Sequence, residues 1–162
     1  MSKNLLAAVV LFFALAISAP AVWAQGTVRS GPDPSTLRDP ELEKDSQHNL
    51  EVARNYFKLK KAYVAALKRA EEIIAGNPTF TKIDEALFIA GSSSLWLAEN
   101  KGKQKSDLYI SFDGTTKKTL TPDEFRAMGR EYLTRLVADY PESGFRSQAE
   151  ASLRTVGEPK KQ

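Results

Sequence analysis

The sequence predicts an all-α domain, a short solenoid of helical hairpins with a small β-hairpin or loop inserted between two of the helices. Three observations carry this prediction. Over residues 46–156, apolar side chains recur at the three- and four-residue spacing of amphipathic helices. Prolines and glycines stand where such helices would begin or end. One helix–turn–helix pattern also occurs twice, and its closing prolines, Pro78 and Pro141, are 63 residues apart.

The composition excludes several classes of function. None of the 162 residues is a cysteine, which excludes disulfides, thiolate zinc sites, cysteine nucleophiles and an acylated cysteine. Lysine and arginine total 23 against 20 acidic residues, so the chain lacks the strong positive charge of a dedicated nucleic-acid-binding protein. We therefore expect no nucleic-acid partner and no lipid anchor.

The first 24 residues have the form of a secretory signal peptide. Lys3 supplies a positive charge, residues 5–17 form an uninterrupted apolar run, and small residues precede a cleavage point after Ala24. A retained membrane anchor is the alternative, but this run of 13 residues is shorter than the roughly 20 that span a bilayer. The sequence predicts a periplasmic protein, either in solution or associated with the outer membrane.

A disordered leader is predicted for residues 25–45, because polar residues, glycine and proline predominate there. Asp39 and Pro40 have the form of an N-cap and a first-turn proline, yet regular helix is expected only near Ser46. The first helix then carries an apolar face formed by Leu50, Ala53 and Phe57.

The second and third helices follow after short turns. The second spans residues 62–75, with Gly76 as its C-cap. The third spans residues 82–100, with Thr81 as its N-cap. Small residues at positions 91–94 lower its helix propensity and would let a neighbouring helix approach closely.

Residues 101–121 form the predicted insertion. Apolar side chains alternate along its middle and lead to Asp113 and Gly114, a good signal for a hairpin turn. A β-hairpin and an ordered loop over residues 106–120 are equally compatible with this pattern.

A fourth helix has a strong start at Thr121, Pro122 and Glu124, which match a capping box, and should end at Asp139. A fifth helix is predicted for residues 143–155.

The repeated unit resembles a tetratricopeptide repeat. Its first copy carries small and apolar residues at the expected positions: Leu50, Ala53, Phe57, Ala66, Ala70, Ile73 and Pro78. Arg54 stands where the repeat usually has a small residue. The resemblance implies a domain over residues 46–156 with about two and a half hairpins, followed by a polar tail over residues 157–162.

Residues 57–75 and 132–153 are in turn similar to the family of outer-membrane β-barrel assembly lipoproteins. In that family a helix ends in an aromatic–proline–small turn, a form found here in Tyr140-Pro141-Glu142-Ser143 and, without the aromatic residue, in Asn77-Pro78-Thr79. The resemblance implies a non-catalytic periplasmic scaffold that binds envelope proteins in outer-membrane protein assembly. A generic periplasmic adaptor for peptidoglycan or secretion machinery is the alternative.

Repeat proteins of this kind bind extended or helical segments on a concave face formed by their first helices. Carried over to this chain, the predicted partner-binding face comprises Asn55, Lys58, Leu59, Phe88, Ser92, Leu95 and Trp96. Aromatic residues such as Phe88 and Trp96 often dominate binding energy, although burial in the core is the competing interpretation of both.

Lysines also cluster around the insertion, at Lys101, Lys103, Lys105, Lys117 and Lys118. Simple solvation of these charges competes with a peripheral contact to membrane, or to an acidic partner, through the first three.

An enzyme is the alternative from a different class of function. His48 is the only histidine, and Ser93 lies in a Gly-Ser-Ser-Ser stretch that lacks the second glycine of a nucleophile elbow. We therefore expect no catalytic residue, cofactor or metal site.

Overall fold

The computed structural model describes residues 39–156, which form five α-helices and one antiparallel pair of strands. The helices are α1, Pro40–Arg54; α2, Tyr63–Gly76; α3, Ile83–Ala98; α4, Pro122–Asp139; and α5, Arg146–Val156. The strands are β1, Ile110–Asp113, and β2, Thr116–Thr119. The predicted mainly helical fold is thus confirmed, and of the two forms predicted for the insertion the structure has the β-hairpin; the predicted signal peptide and the predicted tail lie outside the described residues.

Helix α1 begins at Pro40, six residues earlier than predicted, so the end of the predicted 25–45 leader is helical. The Asp39 carboxylate caps the helix by accepting the backbone N–H two residues further along, at 2.9 Å. Ser46 is buried on this segment, and its hydroxyl accepts a hydrogen bond of 3.1 Å from Asn77. The leader prediction was wrong for residues 40–45 because the Asp39 cap and Pro40 start the helix there, despite the polar composition of this segment.

At its C-terminal end α1 continues as a π-helical turn, Asn55–Lys60, which the periodicity did not predict. Lys61 follows in the left-handed region, with φ of 51°, and the Ala62 N–H donates to the Tyr56 carbonyl at 2.9 Å. Lys61 and Ala62 alone connect this turn to α2. Short π-helical segments are frequent at functional sites, so this turn is a natural place to look for one.

The connection between α2 and α3 is held by α1. Lys82 occupies the N-cap position of α3 without a side-chain hydrogen bond, so the prediction that Thr81 caps this helix is wrong. The Thr81 N–H instead donates to a Glu43 carboxylate oxygen on α1, at 3.2 Å. Thr81 therefore makes a long-range contact to α1, and α3 has no side-chain cap at its N-terminus.

Each α-helix packs against the next one in the chain, and α1 also touches α3, as α3 touches α5. This is the neighbour pattern expected of successive helical hairpins. The largest side chains in the core are Leu50, Leu67, Ile73, Leu87, Ile89, Leu97, Phe125, Leu133 and Leu136.

Two glycines bring α3 and α4 together. A Cβ atom on Gly91 would lie 2.6 Å from Leu133 Cγ, and a Cβ atom on Gly129 would lie 2.6 Å from Leu95 Cδ2. Each glycine thus accommodates a leucine of the opposite helix. The prediction that the small residues near position 91 allow a close helix contact is confirmed.

The insertion between α3 and α4 is a β-hairpin. Ile110 pairs with Thr119 and Asp113 with Thr116, which leaves a two-residue loop whose Gly114 has φ of 60°. The Tyr109 ring precedes β1 and packs edge-on against Phe125 of α4, with centroids 5.6 Å apart. The hairpin is therefore anchored to the helices at its base.

The ends of α4 fall where the sequence places them, with a complete capping box between Thr121 and Glu124. Helix α5 begins at Arg146, three residues later than predicted. Ser143 instead precedes the helix, where its hydroxyl donates to an Asp84 carboxylate oxygen at 2.6 Å and accepts the N–H of Phe145.

Candidate functional site

Three of the seven residues of the predicted partner-binding face are exposed. Asn55, Lys58 and Leu59 lie on the π-helical turn at the end of α1, and Leu59 keeps 75% of its surface exposed. An apolar side chain so open to solvent is available for contact with a partner.

Two of the seven are buried, and their assignment to a binding face is wrong. Ser92 and Leu95 keep only 6% and 7% of their surface exposed. The reason is that α3 is buried around most of its circumference and packs on α4 through Gly129, which receives Leu95. Helical periodicity cannot tell which face of such a helix points outward.

Phe88 and Trp96 are half-buried in a cluster of rings, so part of each side chain packs in the core and part remains accessible. The Phe57 ring stacks on Trp96 with centroids 4.8 Å apart and meets Phe88 edge-on at 6.2 Å. Phe88 in turn stacks on Phe145, just before α5, at 4.9 Å. We call Phe57, Phe88, Trp96 and Phe145 the aromatic row.

The aromatic row joins alternate elements of the chain. Phe57 belongs to the turn that ends α1, Phe88 and Trp96 belong to α3, and Phe145 precedes α5. The end of α1 therefore contacts α3 through its rings, and α3 in turn contacts the start of α5. We call the surface shared by α1, α3 and the start of α5 the first-helix face.

An ion pair reinforces the contact between α1 and α3. The Arg54 guanidinium donates to both carboxylate oxygens of Glu85, at 2.6 and 2.5 Å, and Glu85 is buried. This bidentate hydrogen bond raises the pKa of Arg54, although partial burial opposes the rise. Arg54 neutralises a buried carboxylate of α3.

A second carboxylate, half-buried between α2, the insertion and α4, was not identified in the sequence analysis. The Glu71 side chain on α2 accepts hydrogen bonds from the Tyr109 hydroxyl, at 2.8 and 3.0 Å, and from the Tyr132 hydroxyl, at 3.1 Å. Burial raises the pKa of Glu71 despite these two donors. Burial, followed by the charge of Glu71, raises the pKa of both tyrosines. No motif signals this site, because its members come from α2, the insertion and α4.

We expect Glu71→Gln to remove part of the pH dependence of stability. The folded-state pKa of Glu71 is raised, so its contribution to the free energy of unfolding is fully present below the ordinary value of 4.5 and is lost as the pH rises through the folded-state pKa. Urea unfolding across that range should therefore show a flatter profile for E71Q than for the wild type. Glu72→Gln, at the exposed neighbouring position, is the control and should retain the wild-type profile; equal profiles for E71Q and the wild type would contradict the assignment.

The two residues considered for catalysis lie on different helices and differ in exposure. Ser93 is fully buried in α3 and its hydroxyl has no hydrogen-bond partner among the described residues, whereas His48 is exposed on α1. Within residues 39–156 no group of three histidine or acidic side chains is arranged to hold a metal ion. None of the helices in that part of the chain is long and apolar enough to cross a membrane.

Comparisons of the chain with models of protein families, with curated proteins and with solved structures find no match. Any assignment of function therefore depends on the residues and contacts described above.

Proposed function

We propose that this chain is a non-catalytic adaptor of the cell envelope that binds a protein partner on the first-helix face. The observation that carries the proposal is the aromatic row, in which rings from α1, α3 and the start of α5 contact one another at 4.8 to 6.2 Å. Contacts between first helices of successive hairpins are what a tetratricopeptide-like solenoid requires, and such solenoids use this face for binding.

The chemistry of the first-helix face suits a protein segment. Half-buried Phe88 and Trp96 offer apolar surface that is already held in place by stacking. Asn55 and Lys58 provide exposed polar groups beside them on the turn that ends α1. Rigid aromatic anchors with a polar surround are typical of surfaces where a few residues dominate affinity.

The location and the biological role rest on the sequence. The signal-peptide pattern supports the periplasm, and the similarity to outer-membrane β-barrel assembly lipoproteins supports a role in outer-membrane protein assembly. A periplasmic adaptor for peptidoglycan or secretion machinery is the second candidate, since it would need the same exported helical hairpins. The identity of the bound partner separates the two.

Photocrosslinking in cells tests the proposal. A crosslinking amino acid at Asn55 or Glu51, both exposed on the first-helix face, should capture an envelope protein as a discrete adduct. The matched controls are Lys68 and Thr134, which are exposed on the second helices α2 and α4 and should give no such adduct. Adducts of equal yield at all four positions, or none at Asn55 and Glu51, would reject the first-helix face as the binding surface.

Mass spectrometry of the adduct then decides the role. Capture of a component of outer-membrane protein assembly supports the first candidate, and capture of a peptidoglycan or secretion component supports the second. Capture only of cytoplasmic proteins would contradict the envelope location.

A further inference from the structure

One end of the molecule is strongly basic, and we propose that it binds an anionic membrane surface. This basic end comprises residues 55–61, the turn that closes α1, and residues 99–105, the loop that follows α3. The inference concerns a different class of ligand from the proposed protein partner, and its test needs no protein partner, although Asn55, Lys58 and Leu59 lie in both surfaces.

The two segments of the basic end form one surface. The Lys103 N–H donates to the Lys61 carbonyl at 2.9 Å, and the Gln104 side chain accepts the Ala65 N–H at 3.0 Å. Gly102, with φ of 97°, lies so close to the Tyr63 ring that a Cβ atom there would be 2.5 Å from it. Since the loop is held against the turn, the lysines of the two segments are presented together.

The charge of the basic end sets it apart from the remainder. Its two segments contain six lysines and one acidic residue, Glu99, which pairs with Lys101, so the net charge is +5. Residues 39–156 contain 18 basic and 18 acidic residues in total, so all the rest of that region carries −5. The described part of the molecule is therefore neutral overall but strongly polarised.

Most of these lysines have no competing protein partner. All six are exposed, and Lys58, Lys61, Lys103 and Lys105 form no ion pair with any residue that the structure describes. Leu59 stands among them with 75% of its surface exposed. An exposed leucine in a turn with three exposed lysines, Lys58, Lys60 and Lys61, matches the interfacial region of a membrane, where phosphate groups lie above apolar chains.

The choice of basic residue favours a lipid surface over an acidic protein. Every cation at the basic end is lysine, a compact point charge on a flexible stem, whereas recognition of fixed carboxylates favours the bidentate fork of arginine. The chain does use arginine where it pairs with a fixed carboxylate, at Arg54 with Glu85. Clusters of four to eight basic residues are typical of segments that bind anionic lipids.

The opposite charge at the far end would orient the molecule. Residues 39–45, at the start of α1, contain four acidic residues and one lysine. An anionic surface attracts the basic end and repels this acidic end, so α1 should meet the bilayer with its C-terminal end.

Vesicle sedimentation tests the proposal with the chain as cells produce it. The wild type should partition onto mixed phosphatidylglycerol–phosphatidylcholine vesicles more strongly than onto pure phosphatidylcholine, and high salt should abolish the difference. Each lysine near an anionic surface contributes about fivefold in affinity, so the triple variant K58Q/K60Q/K61Q should bind on the order of 100-fold more weakly. The second triple variant, K101Q/K103Q/K105Q, should show a loss of similar size.

The matched control is K44Q/K68Q/K82Q, which removes the same charge from exposed lysines outside the basic end and should weaken binding only a few-fold. All variants share the same N-terminal residues, so any membrane affinity of those residues cancels in the comparison. The proposal is overturned if the wild type does not prefer anionic vesicles, or if the control loses as much as both triple variants do. Capture of an acidic protein by the same lysines, without binding to anionic vesicles, would also overturn it.

Discussion

Replacing Phe57 with alanine is expected to lower the free energy of unfolding by about 3–5 kcal/mol. The ring is 7% exposed, stacks on Trp96, and makes edge contacts with Tyr63 at 5.9 Å and with Phe88 at 6.2 Å. Removing it opens a cavity where the end of α1, the start of α2 and α3 meet. Urea unfolding followed by circular dichroism measures the loss.

The matched control for this substitution is Phe112→Ala. Phe112 lies on β1 and is 63% exposed, so the same chemical change there should alter stability by no more than about 0.5 kcal/mol. If F57A and F112A lower the free energy of unfolding equally, Phe57 is not a core residue. The aromatic row would then not hold α1 against α3.

Gly129→Ala should lower the free energy of unfolding by about 2 kcal/mol, although alanine is the better helix former. A Cβ atom at this position would lie 2.6 Å from Leu95 Cδ2 and 3.0 Å from the Gly91 carbonyl oxygen. The leucine can rotate away, but the backbone oxygen cannot, so α3 and α4 must separate. Thermal or urea unfolding measures the cost.

Gly76→Ala is the control for the glycine substitution. Gly76 is the last residue of α2, and a Cβ atom there would meet nothing within 4 Å, so alanine should leave stability unchanged or raise it by up to about 1 kcal/mol. A double-mutant cycle adds a second check, since Leu95→Ala should cost less in the G129A background than in the wild type. A stabilised G129A protein would show that α3 and α4 do not cross at these glycines.

Features set by neighbouring residues were predictable from the sequence. The start of α4 follows from Thr121, Pro122 and Glu124, whose cap needs no distant partner. The close approach of a helix follows from the small residues near Gly91, and the alternation that ends at Asp113 and Gly114 indicated a hairpin without excluding an ordered loop.

Features set by distant residues were not predictable. The contact that ties Ser46 of α1 to Asn77, and the one that ties Thr81, just before α3, to Glu43, join segments more than 30 residues apart. The burial of Ser92 and Leu95 was missed because α3 is apolar on several faces, so periodicity does not identify the outward one. The Glu71 site needed three segments to come together before it could be recognised.

The basic end combines one group of lysines that the sequence reveals with a second group that only the fold brings beside it. The lysines at positions 101, 103 and 105 were recognisable in the sequence as a cluster. Their union with Lys58, Lys60 and Lys61 depends on the hydrogen bond between Lys103 and Lys61, which spans more than 40 residues of chain. A charge pattern that looks modest along the chain therefore becomes a concentrated patch once the chain is folded.

The proposed function requires that α1, α3 and the start of α5 lie side by side. Nuclear Overhauser contacts between aromatic rings in the folded chain test this arrangement most directly. We expect contacts between the rings of Phe57 and Trp96 and between those of Phe88 and Phe145, whose centroids are 4.8 and 4.9 Å apart. A folded protein that lacks both contacts would have its helices arranged differently, and the first-helix face would not exist.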